Sequence, residues 1–343
     1  MKLPFRYLCK VDPMKIFYAI QGTGNGHLSR AEQLYPYLQK YGEVDFFLSG
    51  SNSQLNTRIP IKYKSQGLSL HYKHTGGLDY TNIAKSISFK LYKDAKALPI
   101  DHYDLIINDF EFITSLACGI KRKKSIQFGH QASFQSKLTP RAKSINPIGK
   151  LVLENFVKSS SFLGLHFESY DDHIYNPIIK DEIISASKID DGHISVYLPQ
   201  YTTEYISPFL HAQSQFQFEV FTKEVTQVTH SKNITYFPIS GAAFTNSLIS
   251  CHAIITAGGF ETPAEAMYLN KKLLSIPILN HFEQECNAAA LTKMGVKVLK
   301  KLDQHFAEHF KIWINQDNSV KISLTHSTKD IVEVLMNNTL AKA

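Results

Sequence analysis

IITAGGFETPAEAMYLNKKLLSIPIL, residues 254 to 279, decides the fold. Ile254-Ile255-Thr256 has the apolar, β-branched make-up of a buried strand end. Ala257-Gly258-Gly259 is a turn with almost no side chain in the way. A helix opens at Thr262, which can N-cap it, with Pro263 at the first helical position and Glu265 where a capping box needs it. That helix runs to about Leu269, and Leu273–Ile278 is the next buried strand. Strand, glycine turn, helix, strand is one unit of a doubly wound α/β sheet. A helix N-terminus behind two glycines offers free backbone N–H groups and the positive end of a dipole. Gly258, Gly259, Phe260 and Thr262 are therefore a candidate phosphate site.

The same arrangement opens the chain. Lys15–Ile20, KIFYAI, is a strand that runs into Gln21-Gly22-Thr23-Gly24-Asn25-Gly26-His27-Leu28-Ser29-Arg30. A helix follows, with Leu28, Ala31, Leu34 and Leu38 on one face. A dinucleotide fingerprint would need glycine where His27 stands, and no acidic residue closes the second strand, Val44–Leu48. Both departures argue against a nicotinamide dinucleotide. His27 sits just past Gly26, at a helix N-terminus and at the carboxyl end of the first strand, the edge where open α/β sheets bind ligands. The helix dipole disfavours a positive imidazolium there and leaves the ring able to accept a proton, as a general base must. Arg30, one turn on, can contact an acceptor or a phosphate.

Further strands carry polar groups to that edge. Asp104–Asn108 ends at Asp109-Phe110-Glu111, and Ser125–Phe128 ends at Gly129-His130-Gln131. Asp109 is the candidate partner of His27, against the alternative that it caps the helix beginning near Phe110. Glu111 is the other candidate partner, and spacing does not choose between them. The loop 73–80 is a candidate acceptor loop, followed by a helix over Ile83–Leu98.

The stretch GGFET..EAMYLNKKLLSIP.....EQ..NA, together with GNGHLSR, resembles the donor signature and glycine-rich loop of GT-B glycosyltransferases. It is similar to UDP-glycosyltransferases and to the peptidoglycan GlcNAc transferase. The resemblance is close over Ala253–Ala290, good over Met14–Leu38, and a matter of layout elsewhere. It implies that Gly258 and Gly259 face a donor pyrophosphate, that Glu265 holds the ribose hydroxyls, and that Glu283 and Gln284 meet the donor sugar. It makes His27 the catalytic base or a lining residue of the acceptor site. It places the loop around Ile239–Phe244 against the donor base, where Phe244 is either an aromatic wall or core. Gly26, Arg30, His130 and Gln131 become the acceptor side. The implied donor is a UDP-sugar.

Composition bounds the rest. A chain of 343 residues suggests about two domains. No run of eighteen apolar residues is present, so no membrane-spanning helix is expected, and residues 1–13 lack the apolar core of a signal peptide. Four separated cysteines and no CxxC pair argue for a reducing compartment and against a zinc site. No D-x-D and no H-E-x-x-H appears, so no metal and no cofactor is expected. Residues 1–180 hold 24 Lys and Arg against 14 Asp and Glu, whereas residues 181–343 hold 13 against 16. The basic half suits an anionic membrane surface or an acidic acceptor. No nucleic-acid-binding motif accompanies the charge.

The expected architecture is α/β: two Rossmann-like doubly wound domains facing across a cleft, the GT-B arrangement. The first domain spans 1–175, a linker 176–192, the nucleotide-sugar domain 193–325, and a last helix, 326–343, crosses back to the first domain. All five arginines lie at or before Arg141, so a diphosphate bound to the second domain must rely on the helix terminus. The expected activity is metal-independent, inverting transfer of a hexosyl or N-acetylhexosaminyl group to a hydroxyl of a glycan, lipid-linked or small acceptor in envelope or glycan biosynthesis. The expected location is cytoplasmic, with a peripheral place on the membrane's inner face. The alternatives are a UDP-sugar 2-epimerase, for which Asp109 and Glu111 would supply carboxylates, and a non-catalytic binder of sugar nucleotides or glycans.

Overall fold

The computed structural model describes residues 13–22, 25–50, 57–68, 89–144, 146–187, 189–316 and 319–340. The first sheet is built from β1 (Met14–Gln21), β2 (Gly42–Ser49), β3 (Ile61–Ser65), β4 (Leu105–Asp109), β5 (Ile126–Gly129), β6 (Ser161–Leu165) and β7 (Ile174–Tyr175). All pairs are parallel, and the order is β3-β2-β1-β4-β5-β6-β7. Ile16 to Ile20 are buried on both faces, which is why they read as a continuous apolar run.

The second sheet holds β8 (Ile194–Tyr197), β9 (Phe218–Thr222), β10 (Thr229–Ser231), β11 (Ile234–Pro238), β12 (Ala253–Thr256), β13 (Lys272–Ser275) and β14 (Lys297–Val298). Its order is β10-β11-β9-β8-β12-β13-β14, parallel except for the edge strand β10. In both sheets the strand order reverses beside the first strand, between β1 and β4 and between β8 and β12. The crevice at such a reversal is where these sheets bind ligands.

β7 closes the edge of the first sheet through its pairing with β6, at the end of the expected first domain. Of the helix expected over Ile83–Leu98, Phe89–Ala97 is helical; residues 83–88, like the candidate acceptor loop 73–80, lie outside the described residues. The helix after β12 begins at Glu261, not after Thr262. At the chain's end, Thr328–Leu340 packs on the helix Asn25–Leu38. Ile331, Val332, Leu335 and Met336 share one core with Leu28, Leu34 and Leu38.

Candidate active site

Strand register brings the two ends of the first switch point together. β1 and β4 are neighbours with Ile20 opposite Asp109, so the chain leaving β1 starts its helix beside the Asp109 carboxylate. His27, in the first turn of Asn25–Leu38, places Nδ1 2.8 Å from Asp109 Oδ1. Just after Asp109 the chain turns through Phe110 in the left-handed region, φ +58°, which few non-glycine residues adopt. That turn sends Glu111 the other way. Its Oε1 accepts the Ile113 N–H at 2.8 Å and its Oε2 the Thr114 N–H at 2.6 Å, capping the helix Phe112–Lys121. The carboxylate beside His27 is therefore that of Asp109, and the helix cap is Glu111. This corrects the placement of Glu111 as a partner of His27 and removes the carboxylate pair that an epimerase would have used.

Arg30 does not reach out to a ligand as expected. It is buried, at 4% exposure, and folds back on Asp109, donating from Nε to Oδ2 at 3.0 Å and from Nη2 to Oδ1 at 2.7 Å. Its Nη1 donates to Glu261 Oε1 of the second domain. Tyr18 adds a hydroxyl donor to Asp109 Oδ2 at 3.3 Å. Burial alone would raise the Asp109 carboxyl, but Arg30 and His27 hold it below the usual carboxylate range. The guanidinium has no proton to lose at working pH and no lone pair to offer. His27 Nδ1 faces both Asp109 Oδ1 at 2.8 Å and Arg30 Nη2 at 3.0 Å; in the tautomer in which Nδ1 donates to the ionised carboxylate, Nε2 carries the lone pair. Among the described residues, none is paired with that Nε2.

Between the domains lies a pocket of about 210 Å³ that opens to solvent. Gly26 and Ser29, flanking His27, line it from the first domain, and Gly259, Glu261, Thr262 and Glu265 from the second. Phe244, with Tyr197 and Phe221, forms an aromatic wall, so it is a lining residue as well as a packed one. The first intrahelical bond after β12 runs from the Ala264 N–H to Phe260 O, leaving the Phe260, Glu261 and Thr262 amides to point out of the helix end. A Cβ on Gly259 would meet nothing within 4 Å, so this backbone is open to the pocket.

Several donor-side expectations are corrected. Phe260, not Thr262, is the cap residue, and no side chain caps this helix. Pro263 is the third helical residue, still within the first turn, where a missing N–H costs nothing. Glu265 closes no capping box; it is buried, and its Oε1 lies 3.2 Å from Lys180 Nζ. Burial raises its carboxyl above the usual range, opposed by the Lys180 charge. Gly258 does not offer its amide to a phosphate. Its N–H donates to Gln284 Oε1 at 3.1 Å, and a Cβ would strike Pro277 and the Gln284 backbone. Gln284 also accepts the Ile278 N–H at 2.9 Å, so its carbonyl is a clasp between loops rather than a sugar contact.

On the acceptor side, His130 is not free to bind a ligand. Its Nε2 lies 2.7 Å from Asn287 Oδ1, its Nδ1 3.1 Å from Leu165 O, and its ring stacks on Phe260 at 4.1 Å. Asn287 Nδ2 donates to Gly258 O at 3.0 Å, which fixes the amide's orientation. His130 thus joins the end of β5 to the glycine turn of the other domain. Glu283 faces the same group. Burial would raise its carboxyl, but the charges of His281 and His130, a hydrogen bond from Gln131 and the charge of His27 bring it below the usual range.

Three residues at the site carry no signal in the sequence. Glu261 reads as an ordinary acid in a helix first turn. Gly129, φ +114°, has no room for a side chain, because a Cβ would lie 2.8 Å from Asp109 Oδ1 and 3.0 Å from Arg30 Nη2. Lys180 lies within the stretch expected to be linker, and its link to Glu265 joins residues far apart in the chain.

The glycosyl transferase family 1 model matches residues 14–314. Among solved structures, Arabidopsis thaliana UGT89C1 complexed with UDP-L-rhamnose is similar with a TM-score of 0.62 and 12% identity, over 96% of this chain and 99% of that one. A UDP-glucosyltransferase from Polygonum tinctorium capable of glucosylating indoxyl gives 0.62 and 13% over 96% and 99%. A UDP-N-acetylglucosamine 2-epimerase gives 0.57 and 10% over 96% and 97%. These likenesses show the GT-B fold. The chain is also 25% identical, over 56% of its length and 73% of the other's, to the ATP synthase gamma chain of Macrococcus caseolyticus. That likeness covers less of the chain than the family match does.

Proposed function

The chain belongs to glycosyl transferase family 1, and from that premise we infer that its cleft moves a sugar from a nucleoside diphosphate sugar to an acceptor hydroxyl. One observation carries the reading. The His27–Asp109 pair does not itself line the pocket but stands beside Gly26 and Ser29, which do, and the open helix end Gly259–Thr262 lines the same pocket.

His27 Nε2 takes the acceptor's proton while the acceptor oxygen forms its bond to the anomeric carbon. The bond from that carbon to the donor phosphate breaks, and the nucleoside diphosphate leaves with the electron pair. Asp109 stabilises the imidazolium that results. The charge on the leaving group falls to the amides and dipole of the helix beginning at Glu261, with no metal in the step. Direct attack of this kind inverts the anomeric centre. The aromatic wall of Tyr197, Phe221 and Phe244 suits the donor base, which we take as uracil, and Glu265 the ribose. Glu283 suits the donor sugar, and Gln131, which hydrogen-bonds to it, the acceptor. Transfer of a hexosyl or N-acetylhexosaminyl group to a glycan, lipid-linked or small acceptor of the cell envelope fits the basic first domain, as does an anionic membrane surface beside it.

Thermal unfolding with a panel of nucleotides and nucleotide sugars, without added metal, tests the donor half. A ligand at about a hundred times its dissociation constant adds about 2.7 kcal/mol to the folded state. A shift with UDP or one UDP-sugar, lost in Gly259→Asp, is the expected result. No shift with any nucleotide would sink the donor reading.

A further inference from the structure

Among the described residues lining the pocket, Lys180 is the only side-chain cation; two carboxylates, Glu261 and Glu265, line it as well, and Lys180 is paired with Glu265. Arg30 lies behind Glu261 and is already shared with Asp109. A diphosphate entering this pocket would bring more negative charge to a wall that holds two acids. Helix-end amides alone face that repulsion. The nearest counter-charge must come from Lys180.

The way Lys180 is held suits a group that moves. Among the described residues its Nζ meets only side-chain oxygens, Glu265 Oε1 at 3.2 Å and Thr245 Oγ1 at 3.3 Å. Lys271 in the same domain is different: its Nζ donates to two main-chain carbonyls, Ile189 O and Cys251 O, both at 2.7 Å. That is a structural lysine. The backbone of Lys180 is anchored by buried Ile178, Ile179 and Ile183, so the mobile part is its four-carbon side chain. Glu265 and Glu261 lie four residues apart on the same helix face, about 6 Å along the axis. A lysine that releases Glu265 can cover that distance by changing rotamers.

Resting on the donor reading above, we propose that Lys180 and Glu265 exchange partners when a nucleoside diphosphate binds. Glu265 takes the ribose hydroxyls, and Lys180 swings to the phosphates at the Gly259–Thr262 helix end. Each group gives up one contact and gains another, so neither buried charge is left alone. Lys180 is then the positive charge that the arginine-free second domain lacks, supplied by the chain segment that crosses between the domains.

Calorimetric titration of wild type, Lys180→Met and Lys180→Arg with UDP and with uridine tests this. The expected result is that Lys180→Met loses at least tenfold in UDP affinity and less than twofold in uridine affinity. Lys180→Arg should recover most of the UDP affinity, and the salt dependence of UDP binding should flatten in Lys180→Met. Equal losses for UDP and uridine would mean that Lys180 only shapes Glu265, which overturns the exchange while leaving the donor site standing. If wild type binds neither, the donor reading fails and the exchange with it. Matching melting temperatures for wild type and Lys180→Arg guard against a folding defect.

Discussion

Arg30 binds Asp109 and Glu261 at once, one guanidinium holding a carboxylate from each domain. Burial alone would depress the Arg30 pKa, but the two carboxylates keep it raised. The link ties the orientation of the His27–Asp109 pair to the position of the opposite domain's helix end. Replacing Arg30 with Met leaves Asp109 buried beside His27 without its main counter-charge. We expect a loss of about 3–5 kcal/mol in stability, read by denaturant unfolding. Arg30→Lys should recover only part of it, because an ammonium cannot reproduce the two-pronged contact. An Arg30→Met protein as stable as wild type would refute this account.

Turnover should depend on the pair itself. His27→Ala is expected to lower kcat about 10²–10⁴-fold while UDP binding persists. Asp109→Asn keeps an oxygen for Nδ1 but loses the charge that stabilises the imidazolium, so its rate should fall as well. Single-turnover rates with saturating donor would check both. Undiminished turnover in His27→Ala would remove it as the base.

Glu111 should behave as a cap and nothing else. Glu111→Ala removes two acceptors from the helix Phe112–Lys121 and should cost about 2 kcal/mol. Activity per folded molecule should stay within about twofold. A large loss of kcat with unchanged stability would return Glu111 to the chemistry.

Gly129→Ala puts a methyl group 2.8 Å from Asp109 Oδ1 at a backbone φ of +114°. Either the carboxylate moves or the strand end does. The variant should lose both stability and turnover, whereas Gly192→Ala, with nothing within 4 Å at a similarly positive φ, should lose stability alone. Comparing melting temperature with kcat for the two variants separates strain from displacement of Asp109.

Acid should weaken the fold through Asp109. Its carboxyl is held low in the folded state, so the unfolded chain binds the proton first. Its contribution to stability is therefore present above the unfolded value of about 3.9 and is lost as pH falls through the lower folded value. In urea titrations, wild type should lose more stability than Asp109→Asn between about pH 5 and pH 2. Parallel pH profiles would show that the carboxylate gains nothing from its partners.

What was legible in the chain follows from what is local. Two glycine turns, each between a strand and a helix, announce both halves of the fold and place His27 and Gly259 at strand ends. Asp109 is visible as a polar residue closing an apolar strand. Its choice over Glu111 is not, because that rests on the left-handed turn at Phe110, which no composition signals. The same local view misassigned Gln284 and Gly258. The signature spacing is real, but the Gln284 carbonyl turns back onto the Gly258 amide. Arg30, Glu261 and Lys180 take their roles from partners in the other half of the chain, and no local pattern reports a contact between domains.

The packing of Thr328–Leu340 on Asn25–Leu38 also sets a timetable. The helix that carries His27 is made roughly 300 residues before the helix that covers its apolar face. At about 5–20 residues per second the two are separated by roughly 15–60 s of synthesis. Through that interval Leu28, Leu34 and Leu38 wait for their cover, so the domain that holds His27 is completed only after the second sheet that follows it has been made.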